Sequence, residues 1–585
     1  MNILLTAINA KYIHSNLAVY SLRACAGEHR DAVELAEYTI NNQKDYILEE
    51  LYKRKPDVLC FSCYIWNIDY VTDIAREYKK LCPSVPIWVG GPEVSYEVEA
   101  FLRENPYIDG VMIGEGEDTF RELCAYYHAN PDMDNVNAFK NLADISGIAF
   151  RDDNGSVIFT PARPIKNMSE IPFCYDTLDD FSNRIIYYES SRGCPFSCSY
   201  CLSSVDKTLR FRDTEIVKRE LKFFIDQKVP QIKFVDRTFN CNHAHAMELW
   251  RFIKANDNGV TNFHFEISAD LLNQEELELI SDMRPGLIQL EIGVQSTNEV
   301  TIKEIHRTMK LERLKEVVRL IQSGNNIHEH LDLIAGLPYE DYDSFGRSFD
   351  EIYELKPNQL QLGFLKVLKG SYMFEHAAEY GIVYHDKPPY EVMSTKWLSF
   401  DDVIKIKRVE EMLEVYYNSG QFEITMKLME CIFDSAFEFF QELGDFYEAN
   451  GYFGMSHSRI RRCEILLEFL ALYLHGCDSD DTDFDENAQL YNMIQESLIF
   501  DLYYRENCKS RPRWAADIGS FKHMTHAYCK NGKLSHVEPF HYIFPDKHTR
   551  KLDELPKYHK EPVWALFHYD MRDPLDHQAL VEYIE

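Results

Sequence analysis

The sequence predicts an α/β protein with three domains: an open, doubly wound parallel sheet, then a β/α barrel, then a mostly helical domain. The chain has 585 residues, which is more than one hydrophobic core usually supports. Short apolar runs alternate with helix-period segments in two separate stretches, as in parallel sheets with helical crossovers. After about Pro388 long amphipathic stretches replace this alternation. The predicted bounds are 1–140 for the first domain, 141–184 for a linker, 185–388 for the barrel and 389–585 for the helical domain.

The first domain is predicted to be Rossmann-like, with five strands each followed by a helix. The candidate strands are Ile3–Ala7, Ala32–Ala36, Val58–Ser62, Ile87–Gly90 and Gly110–Ile113. Ligands of such sheets lie beyond the carboxyl ends of the strands, and small or polar residues follow several of these strands. Glycine has no Cβ, so Gly90, Gly91 and Gly114 could let the backbone approach a bulky ligand, although taken alone they are ordinary turn residues.

The middle of the chain begins with a less periodic linker that contains an Asp152–Gly155 turn, typical of a hairpin or connector. Six further strand-helix units then predict a partial or complete TIM-like barrel. Its candidate strands are Ile185–Glu189, Gln231–Val235, Phe263–Ile267, Ile288–Gly293, Leu331–Ile334 and Gln359–Leu365. Helical periodicity marks Thr214–Gln227 and Leu311–Gly324 between them, and Val403–Tyr417 and Arg461–Leu474 in the C-terminal domain.

The composition narrows the class of function. A net charge of -33 makes nucleic acid an unlikely partner, because polyanions are repelled at long range. No segment approaches eighteen apolar residues in a row, so we expect no membrane association. The fifteen cysteines form one tight cluster among scattered positions, which indicates reduced thiols with one metal site. Because the sequence shows neither a signal-peptide pattern nor a membrane-spanning segment, we expect a cytoplasmic protein.

The strongest chemical signal is Cys194-x3-Cys198-x2-Cys201, directly after a predicted strand. Thiolates are the soft ligands that iron-sulfur clusters and zinc prefer. Three local cysteines could leave one iron of a four-iron cluster open to a substrate, whereas structural zinc usually takes four protein ligands. The spacing therefore favours a catalytic cluster over a structural zinc site, and over three buried cysteines that meet no metal.

With Tyr200 before the last cysteine, this motif resembles the radical S-adenosylmethionine (SAM) superfamily. The resemblance implies a [4Fe-4S] cluster on Cys194, Cys198 and Cys201, whose fourth iron is chelated by SAM. It also implies reductive cleavage of SAM to a 5'-deoxyadenosyl radical. By analogy, SAM-binding residues lie near the predicted strand ends: Tyr200, Asp236, Ser268, Glu291 and Gln295. Loop capping or barrel packing is the alternative for each, and for Asp236 the two interpretations are evenly balanced.

The first domain resembles the cobalamin-binding domain that precedes this barrel in one large subgroup. The residues that the resemblance places at cobalamin are Asn9, Tyr12, Ser62, Gly90, Gly91, Ser95, Gly114 and Glu115. The D-x-H-x-x-G motif that supplies a lower cobalt ligand in other cobalamin domains does not occur. Either no histidine lies beneath the cobalt, or the domain has kept its fold and lost the cofactor; we expect bound cobalamin. For His14 in the first loop, a surface or hydrogen-bonding role is expected rather than cobalt ligation.

These resemblances imply a radical SAM enzyme coupled to cobalamin-dependent methyl transfer to an unactivated atom. The first alternative is radical cyclisation, rearrangement or oxidation without methyl transfer. An alternative of another class is a non-catalytic corrinoid or redox sensor. The substrate is left open between a small molecule and a modified macromolecule, and the expected electron donor is a flavodoxin or a ferredoxin. The C-terminal domain resembles an uncharacterised extension and implies no activity.

Overall fold

The computed structural model describes residues 1–130, 142–152, 154–205, 207–476, 483–529, 534–545, 549, 551–552 and 554–584. It divides into two compact units. The first comprises Met1–Ile280, Lys303–Met309 and Phe364–Thr395, and the second comprises Ser281–Ile302, Lys310–Gly363 and Lys396–Glu585. Among the described residues, no helix is both long enough and apolar enough to cross a membrane.

The N-terminal region is a seven-stranded sheet with helices on both faces. Its strands are β1 (Ile3–Asn9), β2 (Val33–Thr39), β3 (Val58–Ser62), β4 (Ile87–Gly90), β5 (Gly110–Met112), β6 (Ile148–Arg151) and β7 (Val157–Phe159). Its helices are α1 (Leu17–Cys25), α2 (Lys44–Arg54), α3 (Ile68–Leu81), α4 (Val98–Glu104) and α5 (Glu117–Ala129). The sheet order is β2-β1-β3-β4-β5-β6-β7, and the first five strands are parallel. This is the predicted doubly wound fold.

Both faces of this sheet are buried, because alternate residues of β1 belong to different cores. Ile3 and Leu5 pack in the layer that contains Phe120 of α5, while Leu4 and Ile8 pack in the layer that contains Val71 of α3. All seven residues of β1 are therefore buried, as expected for a central parallel strand. The polar residues that follow such a strand lie at the edge of the sheet, where they can meet a ligand.

The predicted linker contributes a hairpin to this sheet. Strands β6 and β7 are antiparallel to each other, and β6 is antiparallel to β5. The Asp152 carboxylate accepts hydrogen bonds from the backbone N–H groups of Asn154 and Ser156, so the turn indicated by the sequence is a hairpin turn.

The middle of the chain alternates strands and helices as predicted for a β/α barrel. Its strands are β8 (Ile186–Tyr188), β9 (Ser191–Arg192), β10 (Arg210–Phe211), β11 (Gln231–Phe234), β12 (Asn262–Ile267), β13 (Ile288–Gln295), β14 (His328–Ala335) and β15 (Gln359–Phe364). Its helices are α6 (Thr214–Asp226), α7 (His243–Ala255), α8 (Gln274–Ser281), α9 (Glu299–Glu304), α10 (Leu311–Ser323) and α11 (Tyr342–Tyr353). In the first unit β12, β11 and β8 are parallel neighbours, and in the second unit β13 and β14 are parallel. The short strands β9 and β10 pair in an antiparallel ladder beside the cysteine loop.

The remainder of the chain is mostly helical, as predicted, and ends in a sheet that the sequence did not indicate. Its helices are α12 (Tyr372–Glu375), α13 (Phe400–Leu413), α14 (Glu423–Met429), α15 (Ala436–Ala449), α16 (Arg459–Gly476), α17 (Asp483–Arg505) and α18 (Lys522–Tyr528). Its strands are β16 (Val383–Tyr384), β17 (Val392–Ser394), β18 (Ser535–Tyr542), β19 (Tyr558–Arg572) and β20 (Ala579–Ile584). The last three form an antiparallel sheet in the order β18-β19-β20.

Candidate functional site

The first unit contains a cavity of about 700 Å³ where the ends of the N-terminal strands meet the loop before Cys194. Of the eight residues that the sequence placed at cobalamin, six line this cavity: Asn9, Ser62, Gly90, Gly91, Gly114 and Glu115. They come from the ends of four different strands, which the parallel sheet brings to one edge. The same cavity is also lined by residues of the predicted barrel, Tyr187–Glu189 and Ser191–Gly193. The cavity is therefore lined both by the N-terminal sheet and by the segment that precedes the cysteine loop.

Hydrogen bonds fix the polar side chains at the strand ends. The Asn9 amide donates to the Glu37 carboxylate at 2.9 Å, and the Asn16 amide donates to Ser62 Oγ at 3.2 Å. Glu37 also accepts from the Tyr20 hydroxyl at 2.5 Å and from Arg184 at 2.6 Å. Because these side chains are hydrogen-bonded to one another, the polar edge of the cavity is preorganised for a ligand.

Two glycines at this edge differ in what surrounds them. Gly91 has φ +120°, and a Cβ added there would lie 2.4 Å from the carbonyl oxygen of Cys63. Gly114 has φ +76°, and an added Cβ would meet no atom within 4 Å. Gly91 is thus required by close packing of the protein itself, whereas Gly114 faces open space at the cavity.

Two of the predicted cobalamin residues do not line the cavity. Tyr12 is 68% exposed, and its ring centroid lies 5.3 Å from the Arg184 guanidinium. Ser95 Oγ donates to the Gly91 carbonyl at 2.8 Å and accepts from Gly114 N–H at 3.4 Å. Ser95 therefore connects the Gly91 and Gly114 loops by hydrogen bonds without lining the cavity.

An ion-pair network joins the Gly114–Glu117 loop to the segment that precedes the cysteines. Arg192 donates to Glu117 at 2.9 Å and to Glu189 at 2.7 Å, and it lies 3.4 Å from Glu115. Arg210 donates to Glu115 as well. Burial would raise the pKa of Glu115, but Arg210 and Arg192 outweigh burial and lower it. The ion pairs therefore connect the Gly114–Glu117 loop to the segment that precedes the cysteines.

The cysteine loop brings its three thiols to the same part of the first unit. Cys194 and Cys198 are buried and Cys201 is partly exposed. Burial raises the pKa of the Cys194 thiol, and the charges of Cys201 and Cys198 raise it further, which indicates that the three thiols are neighbours. All fourteen cysteines that the structure describes are free.

The three thiols are the ligand type that an iron-sulfur cluster takes, although they are not arranged around one metal position. Within the described residues, no three His, Cys, Asp or Glu side chains are gathered closely enough to hold a metal ion. Three soft thiols within eight residues of one loop are still the ligands that such a cluster takes.

The predicted SAM residues of the first unit have defined contacts. The Tyr200 hydroxyl accepts from Arg307 at 3.2 Å, and burial raises the pKa of Tyr200. Arg307 also lies 3.8 Å from Cys198 Sγ; it is a residue near the thiols that the sequence did not single out. Ser268 donates to Asp270 at 2.7 Å, and its backbone is held by the Asn240 amide.

Asp236 is fully buried and braces the loop before the cysteines. Its oxygens accept from Ser190 N–H at 2.9 Å, Ser190 Oγ at 2.6 Å and Ser191 Oγ at 2.5 Å. Burial raises the pKa of Asp236 to about 6. These contacts favour the loop-capping interpretation of this residue.

Glu291 and Gln295 lie on β13 in the second unit. Glu291 is the register partner of His330 on β14. Gln295 is buried, has φ +76° and follows an irregularity in the ladder. Its side-chain amide oxygen Oε1 has no hydrogen-bond partner in the described part of the chain, which leaves it available to a ligand.

Several residues that line the cavity are not among those that the sequence assigned to a cofactor. The segment 168–175 of the predicted linker forms an apolar wall through Met168, Ile171, Pro172, Phe173 and Tyr175. Tyr64 and Trp66 stack with ring centroids 4.4 Å apart, and His14 hydrogen-bonds Tyr187 at 2.7 Å. Arg237, beside Asp236, lines the cavity as well.

Comparisons with known proteins define the class of each domain. A B12 binding domain model matches residues 3–124, and a radical SAM superfamily model matches residues 188–352. A protein family of unknown function, DUF4080, matches residues 378–578. The chain therefore combines a B12-binding domain, a radical SAM domain and a DUF4080 domain, which confirms the family and the cofactor classes predicted from the sequence.

The chain is similar to the cobalamin-dependent radical SAM methyltransferase TokK of Streptomyces tokunonensis, with 26% identity over 51% of this chain and 45% of TokK. It is 23% identical to the anaerobic magnesium-protoporphyrin IX monomethyl ester cyclase of Rubrivivax gelatinosus, over 57% of this chain and 60% of the cyclase. The solved structure of the cobalamin-dependent SAM radical enzyme OxsB, with aqua-cobalamin and SAM bound, matches with a TM-score of 0.57 and 16% identity. That match covers 86% of this chain and 80% of OxsB and shows a shared fold. The chain spans about half the length of the curated relatives that it matches.

Proposed function

We propose that this protein is a radical SAM enzyme that transfers a methyl group from cobalamin to an unactivated atom of its substrate. The observation that carries the proposal is the shared cavity, lined both by the strand ends of the B12-binding domain and by residues 187–193 before Cys194. A radical formed beside the cysteine loop has to reach its target before solvent quenches it, so the two cofactors need one protected space. The names of relatives such as TokK support methyl transfer.

The residues have distinct proposed roles. Cys194, Cys198 and Cys201 would hold the [4Fe-4S] cluster. Asn9, Ser62, Gly90, Gly91, Gly114 and Glu115 would form the cobalamin edge of the cavity, and Tyr200 and Ser268 would contact SAM. The assignment of Glu291 and Gln295 to SAM stays a prediction from the sequence. When bound, the cluster supplies the electron that cleaves SAM to the 5'-deoxyadenosyl radical, and cobalamin supplies the methyl group.

The chain's own residues would hold the reaction space in place. Arg192 ties the loop before the cysteines to Glu117, so the two cofactor sites keep a fixed separation. Asp236 braces the same loop through Ser190 and Ser191. The apolar wall at 168–175 would exclude water from one side of the cavity.

A reductant of the flavodoxin or ferredoxin class is part of the proposal, because radical SAM chemistry needs an external electron. The cytoplasmic location expected from the sequence stays a prediction, as do the domain bounds at 140, 184 and 388.

Product analysis of SAM turnover tests the proposal. The protein is reconstituted anaerobically with iron and sulfide, supplied with cobalamin, a reductant and a small-molecule extract of the source organism, and the products are identified by mass spectrometry. We expect both 5'-deoxyadenosine and S-adenosylhomocysteine. Cys198→Ala should abolish both products, whereas Cys431→Ala, which changes an exposed cysteine outside the loop, should leave them unchanged.

Other outcomes would change the proposal in defined ways. Deoxyadenosine without S-adenosylhomocysteine would favour radical chemistry without methyl transfer, as the name of the Rubrivivax gelatinosus cyclase suggests. Neither product from a protein with an intact cluster would contradict catalysis and favour the sensor alternative.

A further inference from the structure

We infer that Arg237 supplies the positive charge by which the shared cavity recognises a ligand that carries a phosphate or carboxylate group. The inference rests on the proposed function only in placing a ligand in this cavity. Arg237 follows β11 at the carboxyl end of the strand, three residues after Phe234, and it lines the cavity. Nothing in the sequence pattern alone distinguishes it from the other arginines nearby.

The other charged groups of the cavity wall are already paired. Arg192 is bound to Glu117 and Glu189, and the buried Arg212 donates to Glu220 at 2.7 Å. Glu115, the remaining acidic residue of the wall, accepts from Arg210. Each lining carboxylate therefore has an arginine partner that satisfies its charge.

Arg237 differs from these arginines. Within the residues that the structure describes, its guanidinium makes no hydrogen bond and no ion pair, and it is the one arginine of the cavity wall without a carboxylate partner. Arg237 is exposed, so water rather than a carboxylate solvates its guanidinium. Guanidinium groups bind phosphate and carboxylate oxygens through two parallel N–H donors, and this group has its donors available.

The backbone of Arg237 is fixed although its side chain is free. On one side, Asp236 is fully buried and held by Ser190 and Ser191. On the other side, Thr238 Oγ1 donates to the Arg237 carbonyl at 2.7 Å and lies 3.9 Å from Cys194 Sγ. The guanidinium is therefore attached to a rigid support beside the cysteine loop, which lowers the entropic cost of binding an anion.

The side chain also lies close to the N-terminal domain. The positive charge of Arg237 opposes the rise that burial causes in the pKa of Tyr64, which stacks on Trp66 at the cavity wall. An anion at Arg237 would thus lie between the cysteine loop and the cobalamin edge, where a substrate has to be held. Three ligands can bring such an anion: the substrate, the phosphodiester of the cobalamin nucleotide tail, or the carboxylate of SAM.

The test compares Arg237→Met and Arg237→Lys with the wild-type full-length protein, and uses Arg319→Met, an exposed arginine of α10, as the matched control. Circular dichroism first establishes that the variants have the wild-type melting temperature. Binding of hydroxocobalamin and of cobinamide, which lacks the phosphodiester, is then titrated by absorbance, and binding of SAM by equilibrium dialysis. Finally, deoxyadenosine formation is measured with the acidic and the neutral fractions of a small-molecule extract.

We expect Arg237→Met to weaken one of these interactions by about tenfold to a hundredfold, the loss of a charge-assisted contact, with partial retention in Arg237→Lys. Weaker cobalamin binding with unchanged cobinamide binding would assign the anion to the cofactor tail, and weaker SAM binding would assign it to SAM. Unchanged binding of all three, with loss of the response to the acidic fraction alone, would assign it to the substrate.

Equal behaviour of Arg237→Met and Arg319→Met in every assay would overturn the inference. This outcome is distinct from failure of the proposed function, because in that case the wild-type protein itself would form no deoxyadenosine. The cobalamin, cobinamide and SAM titrations also remain informative when no turnover occurs.

Discussion

Replacing Gly91 by alanine should destabilise the first unit far more than replacing Gly114. Both glycines have positive φ, so each substitution carries the cost of placing an L-residue in that region, about 1–3 kcal/mol. Only at Gly91 does the new Cβ meet backbone, 2.4 Å from the Cys63 carbonyl oxygen. An unstrained carbon-oxygen contact is about 3.3 Å, so Cys63 would have to move by about 0.9 Å.

Cys63 has little freedom to make that movement. Its N–H donates to the Gly90 carbonyl at 2.7 Å, and the residue is fully buried. Shifting packed backbone in this way costs about 1–3 kcal/mol beyond the φ penalty. For a unit of this size, that difference lowers the melting temperature of Gly91→Ala by about 2–5 °C relative to Gly114→Ala.

The assay is thermal unfolding of the full-length variants followed by circular dichroism, with attention to the first transition because the chain has more than one domain. The expected order of melting temperatures is wild type, then Gly114→Ala, then Gly91→Ala. If the two variants melt together, the close approach of Cys63 has no energetic consequence and the reasoning is refuted. In the same samples, Gly114→Ala should weaken cobalamin binding, since its new methyl group enters the open space of the cavity.

Two further predictions concern buried charges. Arg192→Met should lower the melting temperature more than Arg192→Lys, because the methionine leaves Glu117 and Glu189 without a cation, at a cost of about 3–5 kcal/mol for a buried pair; equal melting temperatures would show that the network is not stabilising. Asp501 is buried, and burial raises its pKa from 3.8 to about 7. Its folded pKa lies above the unfolded value, so the folded chain binds the extra proton between pH 4 and pH 7 and loses stability as the pH rises through that window. Asp501→Asn should remove this part of the slope when urea unfolding is compared at pH 4.5 and pH 7, and an unchanged slope would contradict the burial argument.

The sequence predicted the parallel strands well because their signal is local. Val58–Ser62 and Ile87–Gly90 have the predicted bounds, since each is a short buried run that ends at small or polar residues. The hairpin around Asp152 was also visible as a turn, but its pairing with β5 was not, because the edge of a sheet to which a strand adds depends on contacts distant in sequence. The sheet of β18, β19 and β20 was missed for a related reason: its strands are partly exposed and carry charged residues, so they lack the apolar runs that mark buried strands.

The candidate site shows the same division between local and distant information. The cysteine spacing and the strand-end glycines could be found because each is a short motif, and six of eight predicted cobalamin residues line one cavity. The proposed role of Arg237 and the wall at 168–175 could not be predicted, because they depend on which neighbours are already paired and on how the linker folds back. Arg212 and Arg237 look alike in sequence, yet one is held by Glu220 and the other has no partner in the described residues. The proposed anion site at this cavity depends on an unpaired arginine, which is recognised only once the pairing of its neighbours is known.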